Sequence, residues 1–233
     1  MTKTLENIAQ HLQSTAKMQE CIARENLTSS IRDLQIWQTK RLLITHNDLW
    51  QSKRFKPAMQ FFVDELYGPK DFSQRDNELA RVVPKMAKVL PNKGLVSLEA
   101  ALRMNCLSLE LDIALVKKLA NKEINRENYF DCYRHSGDRN KREEQIELLE
   151  SLGIDLAEVV KISGISTILL LSRKPAKVAG VKSLHEFLEK GFKSFKKLGN
   201  VNDFLDPIIS RERALMQSLY AAQGPAENPL PEL

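Results

Sequence analysis

From Ser97 to Ala120 the chain reads SLEAALRMNCLSLELDIALVKKLA, and its apolar residues occupy more than one face of a helix. Leu98, Leu102, Leu109, Ile113 and Val116 form one seam, and Leu107, Leu111 and Leu115 add another. A helix that is apolar on most sides is stable in water only when other elements surround it. Those elements are expected to be helices too. Glycine is scarce, nine in 233 residues, and no run alternates apolar with polar residues between turn pairs. With 42% apolar and 28% charged residues the chain is globular rather than disordered. The reading is an all-α, single-domain multi-helix bundle over residues 1–222, built around a long central helix from about Ser97 to Ala120. The end of the chain, QGPAENPLPEL, has three prolines and no apolar period, so residues 223–233 are expected to be a flexible tail.

Helical spacing and break residues set the other elements. Helices are predicted at Thr4–Arg24, Leu27–Trp50, Phe55–Tyr67, Ser73–Leu90, Asn125–Arg134, Arg139–Leu152, Asp155–Leu171, Ser183–Leu198 and Val201–Ala221, the first two being either two helices or one bent one, since Thr28, Ser29 and Ser30 offer only a weak break. Pro91, Asn92 and Gly94 should separate the Ser73 helix from the central one, and Ser183 with Glu186 forms a capping box. The stretch FFVDELYGPKDFSQRD, residues 61–76, reads as a helix stop, a corner and a helix start. Phe61 and Phe62 face the core, Gly68 takes a left-handed conformation, and Pro69 prevents continuation. Tyr67 and Phe72 then staple the corner, with Asp71, Ser73 and Asp76 accepting from the first N–H groups of the next helix.

The same stretch resembles the bacterial FFLEELY proteins, with Val63 and Asp64 standing for that motif's leucine and glutamate. The likeness extends through LSLELDIAL, YRHSGDRNKREEQI and FLEKGFKSF, and so over most of the chain. It implies a compact helical bacterial protein with no established activity, and it supplies no catalytic residues.

Three constellations could carry function. The predicted Arg139 helix is charged against its own dipole, with Arg139, Lys141 and Arg142 in the first turn and Glu147 and Glu150 toward the end. Together with Arg134 and His135, these bases could hold a small anion at the helix start. The plainer alternative pairs them with Glu110, Asp112 or Asp131. On the central helix, Asn105, Ser108 and Asp112 lie on one face and either line a pocket or form a sealed polar network. Finally, Lys190, Lys193, Lys196 and Lys197 oppose an apolar face of Leu184, Phe187, Leu188, Phe192, Phe195 and Leu198. Residues 172–200 hold eight bases and two acids, so this segment carries the basic balance of a chain whose net charge is +5. It could follow a polyanion or an anionic membrane, or simply be docked by its phenylalanines with the lysines in water.

Common chemistries are missing from the sequence. There is no Glu-x-x-His pair for a di-metal centre, no nucleophile elbow, no phosphate loop and no dinucleotide fingerprint. No metal and no cofactor is implied. Cys21, Cys106 and Cys132 contain no Cys-x-x-Cys pair and read as reduced, partly buried thiols. The start lacks a secretory signal, and ISTILLLS is too short to span a bilayer. The reading is a cytoplasmic binding or interaction protein, non-enzymatic, with a small anion or a protein as partner. Two alternatives stand: a helical enzyme or carrier for a small acidic or phosphorylated ligand beside Asp112, and a peripheral binder of nucleic acid or membrane through the Lys190–Lys197 helix.

Overall fold

The computed structural model describes the backbone of residues 2–68, 73–86 and 92–233, and their side chains apart from those at positions 2, 66, 67, 73, 76, 84–86 and 93. The fold is all-α. Among the described residues there are twelve α-helices and no strand: α1 (Thr2–Arg24), α2 (Thr28–Thr45), α3 (Asn47–Gln51), α4 (Lys56–Phe62), α5 (Ser73–Met86), α6 (Asn92–Leu119), α7 (Arg126–Arg134), α8 (Arg139–Val159), α9 (Ile165–Leu171), α10 (Arg173–Val178), α11 (Lys182–Lys196) and α12 (Asn202–Ala221). A π-helical turn, Val63–Tyr67, continues α4.

The central helix is α6, packed against α1, α2, α7 and α8. Its deepest side chains are Leu95, Leu107, Leu111 and Leu115, while of the expected seam Leu102 and Val116 are buried and Leu109 and Ile113 lie at the margin of the core. The central helix starts at Asn92 rather than Ser97 and runs through Gly94, while Pro91, the first residue of the expected break, lies outside the described residues. Likewise α8 runs through Gly153, where two helices were expected. A Cβ there would come 2.6 Å from Leu205 Cδ2, so the missing side chain lets α12 approach rather than ending the helix. The Ser183 capping box does not form: α11 starts at Lys182, Val181 precedes it, and no side chain caps it.

Gly68 also departs from expectation. Its φ is −76°, ordinary extended backbone, yet an added Cβ would lie 2.2 Å from the carbonyl oxygen of Val63. Glycine is needed for close approach and not for handedness. The staple of Tyr67 and Phe72 and the caps at Asp71, Ser73 and Asp76 fall outside the described residues. The C-terminal segment, expected to be a flexible tail, is docked. Leu230 is buried in the core, and Arg126 donates to the carbonyls of Leu230 at 2.8 Å and Asn228 at 2.9 Å. One leucine and a satisfied backbone outweigh the proline-rich composition.

The core falls into three clusters. One joins Leu34, Leu115, Phe130 and Leu219 across α2, α6, α7 and α12; a second gathers Met59, Phe61, Phe195 and Phe204; a third holds Ile8, Leu79, Leu102 and Leu184.

Candidate functional site

Two cavities lie where these clusters meet. The first, about 80 Å3, is walled by Ile146 from one cluster and Met59, Leu205 and Ile208 from another, with His46, Gln145 and Glu212 as its polar groups. The second, about 160 Å3, lies between Phe61 and Phe195 on one side and Leu79, Leu102 and Leu184 on the other. Phe62, Met104 and Leu149 border both. A third hollow, about 630 Å3, is an open groove beside Trp37 and the α6–α7 turn, lined by none of the anion-site, polar-stripe or basic-helix residues read from the sequence.

The sequence around residue 61 builds the shared wall. Phe61 turns toward α11, with ring centres 5.4 Å from Phe187 and 6.4 Å from Phe195, while Phe62 turns toward α12, 5.8 Å from Phe204. Gly191 makes room for this, since a Cβ there would lie 2.9 Å from Phe61 Cζ. The following π turn buries Glu65, whose carboxylate meets Lys190 Nζ at 2.6 Å and whose carbonyl accepts from Arg75 Nη1 at 2.9 Å. Arg75 borders the second cavity, and its guanidinium sits 4.7 Å from the Phe187 ring centre. Such π turns recur at functional sites.

At the far end of the first cavity stands a buried charge pair that the sequence reading missed. Glu212 Oε1 accepts from Arg41 Nη1 at 2.5 Å and lies 2.9 Å from His46 Nε2. Burial by itself would raise the Glu212 carboxyl, but the Arg41 charge and hydrogen bonds from His46 and Arg41 outweigh it and hold it at about 2. An ionised carboxylate only accepts, so His46 Nε2 donates to it. His46 is fully buried, and its Nδ1 has no hydrogen-bond partner. In a neutral ring that nitrogen is an open acceptor.

A second polar group lies behind the first. Asp112 accepts from Gln35 at 3.1 Å and Gln38 at 3.2 Å, and burial pushes its carboxyl up while those amides and the Arg142 charge pull it down. Arg142 lies over the Tyr133 ring at 4.7 Å. A hollow of about 20 Å3 bordered by Arg41, Tyr129, Tyr133 and Glu212 has room for one water.

The sequence candidates are thus divided. Arg142 and Asp112 come together in the interior. Arg134 is half-buried over Phe130 and donates to the Gln223 carbonyl, His135 is exposed and pairs with Asp131, and Arg139 is exposed with no ion pair or hydrogen bond among the described residues. Lys141 bridges to Glu110 at 2.7 Å. Of the polar stripe, Asn105 and Ser108 line the second cavity, Ser108 accepts from Gln145 at 2.8 Å, and Asp112 is buried and accepts from Gln35 and Gln38. On α11, Lys190 pairs with Glu65, Lys193 meets Glu189 at 2.5 Å, Lys196 lies over Phe192, and Lys197 is exposed.

Among the described residues no three His, Cys, Asp or Glu side chains are grouped so as to hold a metal ion. No described helix is long and apolar enough to cross a membrane. Comparison with curated proteins and with solved structures finds no match. One family model does match, over residues 17–226, and on that extent the chain belongs to the family described as Domain of unknown function (DUF8198).

Proposed function

We propose that this protein binds a small, mainly apolar molecule in the two adjoining cavities, as a carrier or sensor rather than a catalyst. The observation that carries this reading is the pair of apolar cavities sharing Phe62, Met104 and Leu149, with a few polar groups at the ends. Their size sets the ligand. A cavity of 160 Å3 accommodates a six-membered ring, since one of about 150 Å3 holds benzene. The 80 Å3 cavity takes a smaller group. Near Glu212 the complementary head is a hydrogen-bond donor, a hydroxyl or amine, because an ionised carboxylate only accepts.

The same reading takes the chain as a bacterial cytoplasmic protein of the FFLEELY type. Of the motif's two phenylalanines, Phe62 borders both cavities and Phe61 the second. Cyclohexanol is the test probe: it should raise the melting temperature of the wild type in a concentration-dependent way. Met104→Trp, which fills the space both cavities share, should abolish that rise. An equal rise in both proteins overturns the proposal.

A second reading places a small anion at the start of α8. It is supported by Arg139, exposed and uncommitted among the described residues, with Arg134 and His135 on the preceding helix end. Phosphate-dependent stabilisation that Arg139→Gln removes would support it, and stabilisation unchanged in that variant would refute it.

A further inference from the structure

Residues 159–182, VVKISGISTILLLSRKPAKVAGVK, contain five bases and no acid. They form the end of α8, all of α9 and α10, and the approach to α11. No residue of α9 is buried. Its half-buried residues, Ile165 and Leu169, face the protein, and the helix is tethered by His185, whose Nε2 lies 2.9 Å from the Leu169 carbonyl. Its packing partners are α10 and α11.

The outward residues are large and aliphatic. Leu171 is 71% exposed, Ile168 61%, and Val178 on α10 90%, with Ile162 and Leu170 also in solvent. Isolated exposed leucines need no explanation, but a contiguous segment of them marks an interaction surface. The charges identify the partner. Lys161, Lys174 and Lys177 are exposed and have no ion pair among the described residues, whereas Arg173 is held by Glu189 and Lys182 by Glu186. Uncommitted lysines beside exposed aliphatic side chains complement a surface that is anionic outside and hydrocarbon within.

We infer that α9 and α10 form a docking surface for an anionic lipid bilayer, with α9 lying in the interface and the lysines at headgroup level. The bond is peripheral, since seven residues of α9 cannot span a bilayer. A second copy of the chain is a poor occupant, because like charges would meet across the contact with no acid in residues 159–182 to relieve them. A folded acidic protein is less well matched as well. The segment lacks the aromatic residues enriched at protein interfaces.

The test is flotation of the full chain with vesicles of phosphatidylcholine, alone or mixed with phosphatidylglycerol. At low salt, recovery with the mixed vesicles should exceed that with the neutral ones by about tenfold and fall as salt is added. The double variant Leu170→Ser, Leu171→Ser should lose about tenfold in binding, with helical circular dichroism and melting temperature unchanged. Lys174→Gln with Lys177→Gln should remove the preference for the anionic vesicles while leaving the fold intact. The inference is overturned if mixed vesicles recover no protein at low salt, or if the leucine variant binds as the wild type does. It is equally overturned if vesicles fail while a concentration-dependent dimer, or retention by polyglutamate, disappears in the leucine variant.

Discussion

Glu212 is the residue whose environment is most constrained. Its carboxyl is held at about 2 against an ordinary 4.5, so the interaction stabilises the fold fully above about pH 4.5 and is lost as pH falls toward 2. A shift of this size corresponds to about 3 kcal/mol. Glu212→Gln should therefore destabilise the protein by about 3 kcal/mol at neutral pH, since Arg41 keeps its buried charge and loses its partner. The gap between variant and wild type should close as the solution is acidified. Urea titrations over that pH range check it, and a gap independent of pH would place the stabilising charge elsewhere. Asp112 was legible as a polar residue on an apolar helix. The Arg41–His46–Glu212 group was not, because its members are as much as 171 positions apart. A signal did exist: Ile208, Glu212 and Met216 repeat at four-residue spacing, and a carboxylate inside an apolar stripe demands a buried cation.

Among elements, the long helices were legible from periodicity, whereas the short α3 and α10 and the helix ends were not. Gly94 was read as part of a break and one helix was ended at Leu152, yet α6 runs through Gly94 and α8 through Gly153. What decides is the neighbouring element, which no local pattern contains. Gly153→Ala ought by propensity alone to gain about 1 kcal/mol, but Leu205 stands 2.6 Å from the new Cβ. A net loss of about 1 to 3 kcal/mol is expected, as for other overpacked cores. A gain in the urea midpoint would mean that α8 and α12 do not pack so closely. Gly68→Ala should also destabilise, by about 1 kcal/mol or more, although its φ suits alanine, because the Val63 carbonyl lies in the way. The π turn itself has no period that a sequence scan would distinguish from one more turn of α4.

For the whole molecule, composition and periodicity were enough for the all-α class and for α6 at its centre. The docking of the C-terminal segment depends on Arg126, about a hundred positions away, and on one leucine, so proline content misread it. Deleting residues 223–233 should cost about 2 to 4 kcal/mol, from the burial of Leu230 and the loss of the Arg126 hydrogen bonds. Thermal melts of the shortened chain would reveal it, and an unchanged melting temperature would restore the flexible tail. The cavities were equally invisible in one dimension, since they are the misfit between three core clusters contributed by distant helices.

Methionine-methyl NMR gives the most direct view of that misfit, because Met59 borders the first cavity and Met104 borders both, whereas Met216 is buried in a different part of the core. On titration with cyclohexanol, the Met59 and Met104 methyl signals should shift and saturate together while Met216 stays in place. Signals that do not move at saturating probe, or that all drift alike without saturating, would show that the interior takes up no ligand and would contradict the account.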